Sequence, residues 1–476
     1  MPKSRCPALL ACLLLTASIL PAQVSSAPQN SIRWISSTES APWHPMPVEP
    51  APPAVPSSAQ TSVASVIQLD ASTTFQTIDG FGSCFNDLGW QALQALDPPA
   101  REEALRSLFA PTGANFTLGR APIGANDFAT GWYSYDETPG DFALTHFSID
   151  HDRQTLIPFI HAAMRYQPAL GIWAVPWSPP TWMKTNGAYK GGEMKDDPQV
   201  LASYALYFSK YIQAYRAEGI NLFAVMPQNE PRYNNNVYPQ AVWSGALMDT
   251  FLRDYLIPRL QQDKLSIQVW QGTIVNENIA DYILPVLGDP RTAPSITGVA
   301  YQYGGQQALA ATHQRYPDKK LMQSETECYN GDNLWQQGLI TFRKIVEDTR
   351  NFAGSYFFWN TVLDDRETSS WGWRQNSLLT VDRTSKQVRY NPEFYSMKHF
   401  SASVLPGARR IAVSGGPFPQ IVAFANPNAS QVLEFENDST QPVDATLQSA
   451  GKLYLLHVPA KSMNTVTLIA QAATQP

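Results

Sequence analysis

From residue 75 to about residue 397, short apolar runs alternate with longer stretches in which apolar residues recur every three or four positions. The short runs predict buried strands, and the three-to-four spacing predicts amphipathic helices. The strand-like runs are Ile78–Cys84, Phe116–Ala121, Leu170–Val175, Leu222–Met226, Ile267–Trp270, Ile296–Tyr301, Lys320–Ser324 and Ser355–Trp359. The segment after Lys195 shows the helix logic. Asp197 can cap, Pro198 suits the first turn and Gly219 suits the stop. Between them Leu201, Tyr204, Phe208, Tyr211 and Tyr215 make one apolar face, and Trp335, Leu339, Phe342 and Val346 repeat the pattern later. Repeated strand–helix units imply a parallel sheet with right-handed crossovers. Eight of them predict a (β/α)8 TIM barrel over residues 75–397. An open nucleotide-binding sheet fits less well, because Gly80-Phe81-Gly82 lacks a third glycine and a good helix start.

Beyond residue 400 the period changes. Ile421–Phe424, Val432–Phe435, Ala445–Gln448, Leu453–Val458 and Thr465–Ile469 are short and β-rich, with turn residues between them. Residues 398–476 therefore read as a β-sandwich domain. The strand-like stretch Ser62–Asp70, within residues 61–74, is placed to join it, so that the small domain is built from both chain ends. Residues 28–60 carry Pro28, Pro42, Pro45, Pro47, Pro50, Pro52, Pro53 and Pro56 among Ser and Ala, which predicts an extended, poorly ordered linker around Trp34, Trp43 and His44. Lys3 and Arg5, the apolar run Ala8–Leu20 and the small residues after it read as a secretory signal peptide over residues 1–27. That run is too short for a membrane span, which needs about 20 residues. A secreted or periplasmic protein without stable membrane insertion is expected.

Composition narrows the function. Apolar residues make up 44% of the chain and aromatics 11%, enough for a large core. With 34 Lys plus Arg against 40 Asp plus Glu, the net charge is −6 and no basic run occurs, which argues against nucleic acid as a partner. The 7 His form no His-Glu-x-x-His pattern and no Cys pair stands at metal spacing, so no metal and no cofactor is expected. No Gly-x-Ser-x-Gly elbow occurs. Within the mature chain Cys84 and Cys328 can pair or stay free, and the oligomeric state is open.

In a TIM barrel the chemistry sits at the C-terminal ends of the strands. The fourth run ends in Met226-Pro227-Gln228-Asn229-Glu230-Pro231 and the seventh in Gln323-Ser324-Glu325-Thr326-Glu327. Each brings a carboxylate to one rim from nearly opposite sides. Two facing carboxylates are what glycoside hydrolysis requires, one giving a proton to the leaving oxygen, the other attacking the anomeric carbon or activating water. Glu327 competes with Glu325, because residues two apart on a strand point the same way.

These residues resemble glycoside hydrolase family 30, over nearly all of residues 65–470. Phe75-Gln76-Thr77-Ile78-Asp79-Gly80-Phe81-Gly82 is similar to the family's opening motif. Arg120-Ala121-Pro122 with Asn126-Asp127-Phe128 resembles its second-strand rim, and Trp177-Ser178-Pro179-Pro180-Thr181-Trp182-Met183-Lys184 its third-strand loop. The resemblance implies a retaining double displacement with Glu230 as acid/base and Glu325, directly after the small hydroxyl residue Ser324, as nucleophile. It implies that Asp127, Asn229 and Trp177 hold the sugar, that Arg120 lies beside the carboxylates, and that Trp359 is a sugar platform. Trp371 and Trp373, in the following loop, are candidates for outer subsites.

Gln302 and Tyr303 stand where glucosylceramidases carry a His and an aromatic. The seventh loop, Cys328-Tyr329-Asn330-Gly331-Asp332, and the eighth, Asp364-Asp365-Arg366-Glu367, are polar. That predicts a polar aglycone side and a β-1,6-glucan or other β-glucoside as substrate. A glucosylceramidase acting on sphingolipid is the alternative, and a non-catalytic carbohydrate-binding protein is the reading from another class.

Overall fold

In the computed structural model, which describes residues 31–51, 66–326 and 328–469, eight parallel strands close into a barrel. They are Gly80–Cys84, Leu118–Pro122, Gly171–Val175, Leu222–Val225, Gln268–Ile274, Ile296–Gln302, Lys320–Glu325 and Ala353–Asn360. Each overlaps one of the eight expected runs, and the eighth closes on the first through pairs such as Ser355 with Gly80 and Phe358 with Ser83. The strands are buried on both faces, which is why they read as continuous apolar runs without alternation. Close approach of the first two strands depends on Gly82, where a Cβ would stand 1.9 Å from the Leu118 carbonyl oxygen.

The helices follow their sequence signals. Helix Pro198–Ala217 starts where the Asp197 carboxylate accepts the Gln199 and Val200 N–H groups at 2.9 and 3.0 Å. Leu201, Tyr204, Phe208, Tyr211 and Tyr215 are all buried against the barrel. Gly219 then turns the chain with φ +80°, a left-handed conformation that glycine adopts without strain. Helix Trp335–Arg350 buries Leu339, Phe342 and Val346 in the same way.

The second unit is a ten-stranded sheet folded around its own apolar core. The 12-residue strand Val66–Thr77 ties its parts together. One end pairs parallel with Val443–Ser449, and the rest runs antiparallel to Arg409–Ser414, a strand not anticipated from the sequence. The small domain is thus built from both chain ends, as expected.

The Pro-rich stretch departs from expectation. Of residues 28–60, those described are not a solvated linker: they include strands Ser31–Ser37, His44–Met46 and Glu49–Pro50, the last two forming the two edges of the sheet. Ser31–Ser37 pairs antiparallel with Ser462–Ile469 along its whole length. Trp34 is 2% exposed in the sandwich core, and its indole N–H donates to Asn464 Oδ1 at 3.1 Å. Trp43 packs against His399, ring centres 5.0 Å apart, while His44 is exposed. Prolines do not prevent this, because the strands lie at edges where a missing N–H costs little. The expected signal peptide, residues 1–27, together with residues 28–30, 52–65 and 470–476 and Glu327, lies outside the described residues.

The expected boundary at 397/398 falls inside helix Pro392–Ser403. This helix belongs to both units: Phe400 packs against Phe81 of the barrel, and His399 bonds Thr465 and Ser37 of the sandwich at 2.7 and 2.9 Å. A three-stranded sheet, Val362–Asp364, Leu379–Val381 and Val388–Tyr390, also went unread.

If the N-terminal strands are structural, Trp34→Ala should cost about 3–5 kcal/mol of stability in denaturant unfolding. A change below about 0.5 kcal/mol, the usual range for an exposed site, would return this segment to the status of a linker.

Candidate active site

The C-terminal ends of the barrel strands converge on a cavity of about 230 Å³ lined by Asp127, Trp177, Asn229, Glu230, Tyr233, Tyr238, Tyr303, Glu325 and Trp373. Six of the eight site residues expected from the sequence are in that lining. A larger hollow of about 460 Å³ opens at the opposite mouth, among the strand starts. It is lined by Leu118, Phe223, Trp270 and Met322, with Asp79 paired to Lys320 at 2.7 Å, and presents no pair of acids.

Glu230 and Glu325 are both 5% exposed but live in different surroundings. Glu325 is ion-paired through Oε2 with Arg120, whose side chain is fully buried, and its Oε1 accepts the Tyr303 hydroxyl at 2.5 Å. Glu230 touches no cation. Its Oε1 accepts Gln302 Nε2 at 2.8 Å and its Oε2 accepts the Tyr238 hydroxyl at 2.9 Å. Burial, and then the nearby Glu325 charge, push the Glu230 carboxyl up to about 7. Glu230 also sits at φ +46°, a strained conformation for a residue with a side chain. The strain is held by a backbone hydrogen bond to the Thr273 carbonyl at 3.1 Å and by Gln240 Nε2 on its own carbonyl at 2.7 Å.

Arg120 organises the floor. It donates from its second terminal nitrogen to Asn229 Oδ1 at 2.6 Å, and that oxygen also accepts the Thr273 hydroxyl at 2.8 Å. Its guanidinium lies 4.4 to 5.2 Å from the ring centres of Trp177, Trp173 and Trp359. Trp359, expected as a sugar platform, is 1% exposed and outside the cavity lining. It packs against Trp177 at 5.1 Å instead. The Trp359 indole N–H and Asp127 Oδ1 are buried with no protein partner. Burial, and then Glu325, push the Asp127 carboxyl well above the usual range.

The eighth loop differs from expectation. Asp364 pairs with Arg366, Asp365 with Arg383, and the buried Glu367 with Arg374 and Arg389, so these charges are spent within the loop and its small sheet. What the loop presents to the cavity is Trp373, beside Tyr238 of the fourth loop. Tyr238, Trp371 and Trp373 form a row, with ring centres 6.0 and then 5.3 Å apart. Tyr233 and Tyr238, later in the same loop as Glu230, and Thr273 of the fifth strand were not anticipated, because nothing in the local spacing shows that the two rings fold back to the cavity or that Thr273 meets Glu230 and Asn229. Cys84 and Cys328 are both buried and unpaired.

A family model described as the glycosyl hydrolase family 30 TIM-barrel domain matches residues 78–404, and one described as the family 30 beta sandwich domain matches residues 407–466. The lysosomal acid glucosylceramidase of Mus musculus is 27% identical over 433 residues, covering 85% of this chain and 84% of that protein. The endo-1,6-beta-D-glucanase neg1 of Aspergillus fumigatus is 27% identical over 420 residues, covering 83% of this chain and 85% of that protein. The solved structure of the endo-beta1,6-glucanase BT3312 superposes with a TM-score of 0.83 at 24% identity, over 92% of this chain and all of that one, a likeness of fold.

Arg120→Lys keeps the charge but cannot bond Glu325 and Asn229 with one planar fork. Losing one charge-assisted bond, about 1.5–3 kcal/mol, should lower kcat/KM for an aryl β-glucoside roughly tenfold to hundredfold with folding intact. An unchanged kcat/KM would show that the buried pair does not organise the site.

Proposed function

The chain belongs to glycosyl hydrolase family 30 and is an O-glycosyl hydrolase, and we propose that it is a secreted retaining enzyme that cleaves β-1,6-glucan by double displacement. The observation that carries the mechanism is the unequal pair of carboxylates. Glu325 is ion-paired with the buried Arg120, a contact that orients it and suits a nucleophile. Glu230, buried among neutral donors, holds its proton to about pH 7, which suits a general acid.

In the first step Glu325 attacks the anomeric carbon while Glu230 protonates the departing glycosidic oxygen. The Glu325 carboxylate becomes an ester and its charge is gone. With that charge removed, the Glu230 pKa falls, and Glu230 can accept a proton from the water that hydrolyses the glycosyl-enzyme. Asp127, Asn229 and Trp177 line the cavity beside both acids and hold the sugar, with the orphaned Asp127 Oδ1 offered to its hydroxyls. Two carboxylates so differently tuned have no use in a protein that only binds carbohydrate.

The row Tyr238–Trp371–Trp373 supports a sugar rather than a ceramide on the leaving side, since flat rings of this kind suit the apolar faces of pyranoses. Glucosylceramide is the second reading, favoured by the likeness to the mouse glucosylceramidase over 85% of the chain. Export is supported by the basic, apolar and small-residue order of residues 1–27, and among the described residues no helix is long and apolar enough to cross a membrane.

Product analysis of the purified protein, with Glu325→Gln as the blank, should give short gluco-oligosaccharides from β-1,6-glucan. Glucose and ceramide from glucosylceramide, with the glucan untouched, would move the assignment to the lipid. The active form has Glu230 protonated, so kcat/KM should fall as pH rises through about 7. Glu230→Gln should lose roughly 10²–10⁴ in rate on glucan and lose that alkaline limb. A variant keeping the limb would assign it to another group.

A further inference from the structure

The loop between the second barrel strand and helix Leu156–Met164 gathers three potential ligands that the glycosidase chemistry does not use. Asp136, Asp141 and His146 each offer one oxygen or nitrogen, and these atoms all lie within 4.8 Å of one another. None of the three lines the catalytic cavity.

Asp136 is the informative member. It is only 3% exposed, yet just one of its oxygens is satisfied within the protein: Oδ1 accepts the Thr138 N–H at 3.0 Å, while Oδ2 is buried without a donor. Its neighbour Asp141 is well supplied. Asp141 Oδ2 takes the Thr145 hydroxyl at 2.9 Å, the His146 N–H at 3.0 Å and the His146 ring Nδ1 at 2.8 Å. Two carboxylates brought together in this way need a proton or a cation between them.

We propose that Asp136, Asp141 and His146 bind one divalent transition cation, with zinc as the best match, and that the ion clips this loop in place. Two carboxylate oxygens and an imidazole nitrogen suit zinc. Calcium, which takes six to eight oxygens, is a poor match. The exposed His146 ring can turn a nitrogen to the ion with little rearrangement. The clipped loop is a brace for the cavity rim. Glu137, next to Asp136, accepts the Thr181 N–H at 3.2 Å and the Tyr189 hydroxyl at 2.8 Å, and the Trp182 indole N–H donates to the Asp136 carbonyl at 3.0 Å. These contacts hold the third-strand loop that carries Trp177 to the cavity.

The test uses the untagged full chain, stripped with chelator and titrated with zinc chloride, read by calorimetry and by Tm. The stripped protein should bind one zinc per chain saturably, with Tm rising by roughly 2 °C or more at saturation. In Asp136→Asn the amide can donate to Asp141, so the metal-free variant should melt at or above the wild-type temperature and show no response to zinc. His146→Gln should weaken binding at least tenfold. No saturable binding up to millimolar zinc would overturn the proposal, as would a zinc response in Asp136→Asn equal to that of the wild type. A Tm response to calcium chloride but not to zinc chloride would overturn the assignment of a nitrogen-containing site.

Discussion

Arg120 carries a charge in the barrel interior that only its neighbours make tolerable. Removing an ion from water costs several kcal/mol even after the protein relaxes, and the cost is offset only when the charge is closely paired. Here the second strand supplies the guanidinium, the seventh supplies Glu325 and the end of the fourth supplies Asn229, with three tryptophan rings around the cation. The same contacts that make the ion bearable fix the two rim segments that carry the acids. Loss of either partner would leave an uncompensated buried charge.

From that pairing the rest of the site follows. One carboxylate is paired with a buried cation. The other is left among a glutamine, a tyrosine and the field of the first, and so keeps its proton. The difference between them comes from surroundings, not from residue type, since both are glutamates with the same exposure. The strained backbone at Glu230, held by Thr273 and Gln240, aims the protonated group into the cavity. The barrel contributes rigidity, and the sandwich, joined through His399 and the helix it sits on, covers the barrel flank without adding a residue to the cavity.

Much of this was legible in the chain. Parallel strands buried on both faces leave apolar runs that a periodicity reading detects, and all eight barrel strands were visible for that reason. Glu230 was visible because a carboxylate closely following such a run is placed at the rim; the same reasoning offered Glu325 and Glu327 alike, and only the family resemblance chose Glu325. The N-terminal edge strands were hidden because prolines mask a strand signal in a segment whose partner lies at the far end of the chain. Arg409–Ser414 begins with two arginines and escaped notice. The eighth loop was read as a polar surface because its four charged residues are adjacent. Sequence order does not show that Arg374, Arg383 and Arg389 pair with two of them, and Trp359 could be placed at a strand end but not seen to pack against Trp177 outside the cavity lining. Thr273 reaches Asn229 and the Glu230 backbone from the fifth strand, a relation that exists only once neighbouring strands have paired.

The central claim, that the carboxylate held by Arg120 is the group that bonds to the sugar, is tested most directly by trapping. Incubation with an activated 2-deoxy-2-fluoro β-glucoside slows breakdown of the glycosyl-enzyme, and peptide mass spectrometry locates the label. A single fluoroglucosyl ester on Glu325, formed as activity is lost, is the predicted result. An ester on Glu327, or inactivation with no covalent label on the seventh strand, would contradict the account.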